Sequence, residues 1–171
     1  MNLGNRRITN TDLRGEFESL GFESVATFRA SGNVVFETPP ESKAGLIERI
    51  EGGLEEALGY PVPTVLRTDE ELREVVEREP FDPRAVAASN GKLQVSLLAE
   101  APSPAARDAV LGLATDGDLL AFGEAELFWL PSGGTLESAL DLKAIEKLLG
   151  LATMRTKGTI DQLHAKFMAS E

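Results

Sequence analysis

Along this chain apolar residues fall first at helical spacing, then in short extended runs, then at helical spacing again, and the whole order occurs twice. In the first round, Thr9-Asn10-Thr11-Asp12 is a helix-start cluster; Leu13, Phe17 and Leu20 follow at intervals of three and four, and Gly21 closes the helix. Val25-Ala26-Thr27-Phe28-Arg29-Ala30 and Val34-Val35-Phe36 predict two strands. A tight hairpin at Ser31-Gly32-Asn33 joins them, because Gly and Asn tolerate positive φ. Beyond Pro39-Pro40, the positions of Leu46, Ile47, Ile50, Leu54, Ala57 and Leu58 predict a second helix that ends at Gly59, and residues 62–66 predict a short strand. Thr68-Asp69-Glu70-Glu71 is a capping box ahead of Leu72, Val75 and Val76, so a short connecting helix is expected, ending before Pro80.

The second round begins with a strand over 93–98 and a helix opened by Ser103-Pro104 and running to about Leu113. Strands over 118–122 and 125–130 flank Gly123-Glu124, and Leu136, Leu140, Ile145, Leu148 and Leu149 mark a helix stopped by Gly150. A final strand over 153–156 and a helix over 159–167 complete it. This is the β-α-β-β-α-β, or ferredoxin-like, order. The fold class expected is therefore α+β, with two ferredoxin-like units in tandem, the first lacking its opening strand. Residues 1–80 form the first unit with its connecting helix, residues 88–171 the second with a C-terminal helix, and the loop-like stretch 81–91 separates them.

The opening strand of such a unit is central to its sheet. Its absence would leave backbone donors and acceptors unpaired, a costly state in a buried sheet. The expectation is that a segment ahead of Met1 is missing; an unpaired first sheet would also favour a homo-oligomer.

Composition removes several chemistries. There is no cysteine, so disulfides, thiolate nucleophiles and Cys-based zinc sites are excluded. His164 is the sole histidine, which excludes a multi-histidine metal site, and it is read as an ordinary helix residue with no catalytic role. Asp116, Asp118, Glu124 and Glu126 are close in sequence, but hairpin ends are commonly acidic, so no metal and no cofactor are expected. No apolar run approaches the roughly 18 residues of a membrane span, and no leader-type segment opens the chain, so a cytoplasmic protein without membrane contact is expected.

The formal charge of −11 is unevenly placed. Arg6, Arg7 and Arg14 outnumber Asp12 in the first 15 residues, and Lys143, Lys147, Arg155, Lys157 and Lys166 outnumber Glu146, Asp161 and Glu171 at the other end. The stretch between them carries nine basic and 24 acidic residues. Such an acidic body repels polyanions, so nucleic acid is not the expected partner. Trp129 is read as core or module interface, since Glu124 and Glu126 beside it do not suit a base-stacking face.

Three polar segments are candidate sites, each with a plainer reading. Asn2, with Arg6, sits in a loop entering the first helix and could present N–H groups and charge to an anion, or be only a solvated loop. Arg29, Ser31 and Asn33 lie at the hairpin, where turn chemistry accounts for Gly32 and Asn33 but not for Arg29. Thr153, Arg155 and Thr159 gather cations and hydroxyls ahead of the last helix, where Thr156 or Thr159 could simply cap it.

Several segments also resemble a known family. Asn2-Leu3-Gly4 with Arg7, Leu20-Gly21-Phe22, Ala30-Ser31-Gly32-Asn33-Val34-Val35-Phe36, Pro61-Val62-Pro63, Val65-Leu66-Arg67-Thr68, Glu71-Leu72, Pro80-Phe81 and Thr153-Met154-Arg155 with Thr159 are similar, in order, to domain-of-unknown-function family 1697. The resemblance implies a pair of ferredoxin-like units and no established activity. It also implies a short apolar strand ending in Leu-Arg-Gly ahead of the Asn-x-Gly segment, whereas here Met1 stands where an Ile is usual. A second departure is Thr156-Lys157-Gly158, where the family carries an Asn followed by an aromatic residue.

The reading that results is an uncharacterised, non-catalytic binding or interaction module with a small-anion site drawn from the eight candidate residues. The alternative is an enzyme acting on a small anionic or phosphorylated substrate, with Arg6, Arg29 and Arg155 as clamps and a Ser or Thr hydroxyl nearby. It is weakened by the absence of a usual nucleophile and base.

Overall fold

A computed structural model describes residues 2–3 and 6–169, and of residues 2, 3 and 6 the backbone only. The chain divides into two compact units, Met1–Leu66 and Arg67–Glu171. The architecture is α+β with antiparallel sheets throughout. Among the described residues no helix is long and apolar enough to cross a membrane.

In the first unit β1 (Asn2–Leu3) pairs antiparallel with β2 (Arg6–Arg7), where the sequence predicts a loop. Helix α1 (Asn10–Ser19) starts on Thr9, whose hydroxyl accepts the Asp12 N–H at 3.0 Å, and buries Leu13 and Phe17. β3 (Glu23–Phe28) and β4 (Asn33–Glu37) form a two-stranded antiparallel sheet. Helix α2 (Lys43–Leu58) is capped by Ser42 and stopped by Gly59 at φ +76°, a left-handed conformation that favours glycine. The core gathers Phe17, Phe22 and Phe36, with centroids 4.4–5.8 Å apart, under Leu46, Ile50 and Leu54.

Residues 62–66 form no strand, contrary to the sequence expectation. In a split βαβ sheet the closing strand pairs only with the opening one, and here β3 and β4 form a two-stranded sheet that no further strand among the described residues joins. Without a ladder, the segment is fixed by burial of Val62 and by the Thr64 N–H, which donates to Glu51 Oε1 at 2.7 Å.

The second unit carries α3 (Asp69–Glu77), α4 (Pro83–Ala88), β5 (Gln94–Leu98), α5 (Pro104–Leu111), β6 (Asp118–Phe122), β7 (Glu126–Pro131), α6 (Leu142–Leu149), β8 (Ala152–Thr156) and α7 (Lys157–Phe167). Its sheet has the order β6-β7-β5-β8, every pair antiparallel, which is the order of a complete split βαβ unit. Two local expectations change. Stretch 81–91 contains α4, begun by Asp82 as cap and Pro83 in the first turn. Leu136 lies outside α6, fully exposed in a 3-10 turn, because Asp141 accepts the Ala144 N–H and starts the helix at Leu142.

Both faces of this sheet are covered. One meets α5 and α6 through Val110, Leu127, Trp129, Leu140 and Ile145. The other meets α3 and α7 through Leu72, Val75, Val95, Phe128 and Ile160. Helix α3, read from sequence as part of the first unit, thus shares its core with the second.

Arg67 opens the second unit and is tied to it from three directions. Its Nε lies 3.2 Å from Glu126 Oε1, and its Nη2 donates to the carbonyls of Leu98 and Ala125, each at 2.9 Å. The two side chains are only 9% and 10% exposed. Removing one member of such a pair strands the other charge away from water, at about 3–5 kcal/mol. Arg67→Ala is therefore expected to lower the unfolding free energy by about that amount in denaturant titration, and Arg67→Lys to recover only part of it, because the planar fork is lost. A fragment of residues 67–171 should unfold cooperatively on its own. One of residues 88–171, lacking α3 and Arg67, should bind hydrophobic dye and give poorly dispersed amide resonances.

Candidate functional site

The first group of candidate residues occupies the turn of the first unit. The Asn33 amide donates to the Phe28 carbonyl and to Ser31 Oγ, both at 2.9 Å, and Asn10 Nδ2 donates to the Arg29 carbonyl at 3.0 Å. Arg29 holds φ +60°, a left-handed geometry that costs a non-glycine residue about 1–2 kcal/mol. Its guanidinium lies 5.5 Å from the Phe28 ring centroid. Ser31 and Asn33 are brought together by turn geometry, with side chains bonded to each other and to backbone. The side chains of Asn2 and Arg6 lie outside the described residues.

The second group lies on β8 and at the start of α7. Arg155 Nη1 donates to Thr153 Oγ1 at 2.6 Å and to the Met154 carbonyl at 2.8 Å. Burial holds its guanidinium below the ordinary arginine pKa. Thr156 is the cap of α7, accepting the Thr159 N–H at 3.2 Å, while the Thr156 and Thr159 hydroxyls meet at 2.9 Å. These contacts join neighbouring residues of the edge strand and begin a helix. His164 is half-buried in the last turn of α7, far along the helix from these hydroxyls.

Two of the four acidic residues near the β6–β7 hairpin, Asp118 and Glu126, are accounted for by protein partners. Asp118 is 2% exposed, and its Oδ1 accepts Trp129 Nε1–H and the Ser138 hydroxyl, both at 2.7 Å. Its Oδ2 accepts the Thr115 hydroxyl at 2.6 Å. Burial by itself would raise the Asp118 pKa; the bonds from Thr115, Ser138 and Trp129 outweigh it and hold the carboxyl below its ordinary value. Glu126 is taken by Arg67. Among the described residues no cluster of three or more metal-ligating side chains forms. A hollow of about 320 Å³ beside Thr115, Ser132 and Glu137 is bordered by this network, and both Asp118 oxygens are already occupied.

The feature that remains is a cavity of about 390 Å³ in the second unit, between α6 and the sheet at the β8 side. Leu127 and Trp129 of β7, Ile145 and Leu149 of α6, and Met154 of β8 form apolar walls. α6 is only eight residues long and packs against α5, so it leaves the sheet partly uncovered towards β8. The sequence reading missed this site entirely. Its signal was the pair of features at 150–154: a glycine stop, at φ +75°, followed by the partly exposed Leu151 and Met154.

The family model described as "Protein of unknown function (DUF1697)" matches residues 1–128. The chain belongs to this family. The DUF1697 match takes in the first unit and the second as far as β7; α6 and β8, which form the outer wall of the cavity, lie beyond it. A conserved bacterial protein of Streptococcus pneumoniae is similar in structure, at a TM-score of 0.69 and 25% identity, covering 96% of this chain and 92% of that one. No curated protein matches the chain. Membership of DUF1697 carries no activity with it.

Because the folded pKa of Asp118 lies below the unfolded value of about 3.9, its network stabilises the fold above that pH, and the contribution fades as pH falls through the folded pKa. Asp118→Asn is expected to cost about 1–3 kcal/mol at neutral pH. The gap between variant and parent should narrow as pH is lowered from about 5 to about 2, measured by thermal unfolding with Trp129 emission as the readout.

Proposed function

We propose that this DUF1697 member is a non-catalytic binding module whose ligand enters the cavity of the second unit. The observation that carries this reading is the cavity itself: about 390 Å³, mainly apolar, and open beside β8. That size and lining are those of small-molecule sites in general. The reading departs from a small-anion site, because the candidate hydroxyls Ser31, Thr153, Thr156 and Thr159 bond neighbouring side chains or backbone. For the same reason the enzyme alternative lacks a nucleophile poised beside a base. Nucleic acid has no place in the reading, since the net charge is −11; residence in the cytoplasm is part of it.

The chain has a single tryptophan, Trp129, and its ring lines the cavity. N-phenyl-1-naphthylamine, a neutral apolar fluorophore, should therefore brighten on binding and accept excitation energy from Trp129. Ala152→Phe places a ring into the same space from β8 and should abolish both signals while leaving the far-ultraviolet circular dichroism unchanged. Brightening that Ala152→Phe does not affect would place the dye elsewhere and defeat the proposal.

A further inference from the structure

Most of the cavity wall is hydrocarbon, and two polar side chains interrupt it. Ser96 projects from the middle of β5 and is 8% exposed. Its hydroxyl makes no hydrogen bond to any protein group among the described residues, although every fully buried polar side-chain atom there has a partner. Both statements hold together only if the residual surface of Ser96 includes its hydroxyl, facing the cavity. A hydroxyl in an apolar enclosure forfeits free energy until something bonds it. The second polar group is Glu146 of α6, exposed and the sole charged residue lining the space.

These two groups define a ligand. An ionic group at the Ser96 end would be withdrawn from water into an apolar site without a counter-charge, which is strongly unfavourable. An anion held at the opening instead would meet the Glu146 carboxylate. A purely hydrocarbon ligand would leave the Ser96 hydroxyl unbonded. Resting on the binding-module reading above, we infer that the cavity takes a non-anionic, largely apolar small molecule bearing one hydroxyl-type polar group. That group exchanges a hydrogen bond with Ser96, and the apolar body lies against Trp129, Ile145 and Leu149.

Three compounds of similar size separate the elements of this inference when each displaces N-phenyl-1-naphthylamine from the full chain. 4-Ethylphenol should bind best. Ethylbenzene, which cannot satisfy Ser96, should bind roughly tenfold more weakly, the scale of one net hydrogen bond. 4-Ethylbenzoate should displace least. Ser96→Ala should remove the advantage of 4-ethylphenol over ethylbenzene without weakening ethylbenzene, and Glu146→Gln should improve 4-ethylbenzoate alone. Should ethylbenzene match 4-ethylphenol on the parent chain, or Ser96→Ala weaken both equally, the ligand class is wrong while the binding module stands. Failure of the fluorophore itself to bind would overturn both.

Discussion

The second unit depends on how one buried cation is accommodated. Arg67 reaches into a place where three backbone and side-chain acceptors converge: the carbonyl at the end of β5, the carbonyl at the β6–β7 turn, and the Glu126 carboxylate. The Ala125 carbonyl also accepts the Leu98 N–H at 2.9 Å, but without Arg67 the buried Glu126 carboxylate would lose its ion-pair partner. The guanidinium fork serves all three at once, which a lysine could not do. The same contact fixes the residue immediately ahead of the capping box of α3, so it sets where that helix starts and directs its apolar stripe onto Val95 and Phe128. With α3 in place, the sheet is closed on one side; with α5 and α6, on the other.

Closure on both sides explains why polar residues in β5 and β7 have unusual environments. Antiparallel sheets commonly leave one face in water, and there a serine or glutamate between apolar residues needs no partner. Here Gln94, Ser96 and Glu126 are all buried. Glu126 has Arg67, and Gln94 donates to the Lys92 carbonyl at 2.9 Å. Ser96 alone of the three is left facing a cavity. The short α6 creates the space and the covered sheet supplies the unsatisfied group, so the proposed site arises from how two elements of the fold meet, not from a sequence motif.

The order of elements was legible because it depends on local periodicity and punctuation. Helix caps at Thr9, Thr68, Ser103 and Thr156 and stops at Gly59 and Gly150 are written in adjacent residues, and they act as written. The site was less legible. Alternation in Leu93-Gln94-Val95-Ser96-Leu97-Leu98 identifies a strand, yet it cannot say whether the polar face meets water or a helix. That depends on α5 and α6, which come later in the chain, and on how short α6 is. The strand expected over residues 62–66 failed for a related reason: extended propensity is realised only where a neighbouring strand accepts the hydrogen bonds. Arginine and threonine near one another at 153–159 suggested an anion site, but spacing cannot show that the side chains already bond one another.

The strand Glu126–Pro131 is buried at all six positions, whereas its counterpart in the first unit, Asn33–Glu37, is only half-buried. Two copies of one pattern therefore offer very different latitude for sequence drift. A change at β7 meets a packed neighbour on whichever face it points to, so neutral variation there should be scarce, while β4 can exchange one β-branched residue for another at little penalty. The two-stranded sheet of the first unit can thus absorb substitutions that the four-stranded sheet of the second, covered on both faces, cannot.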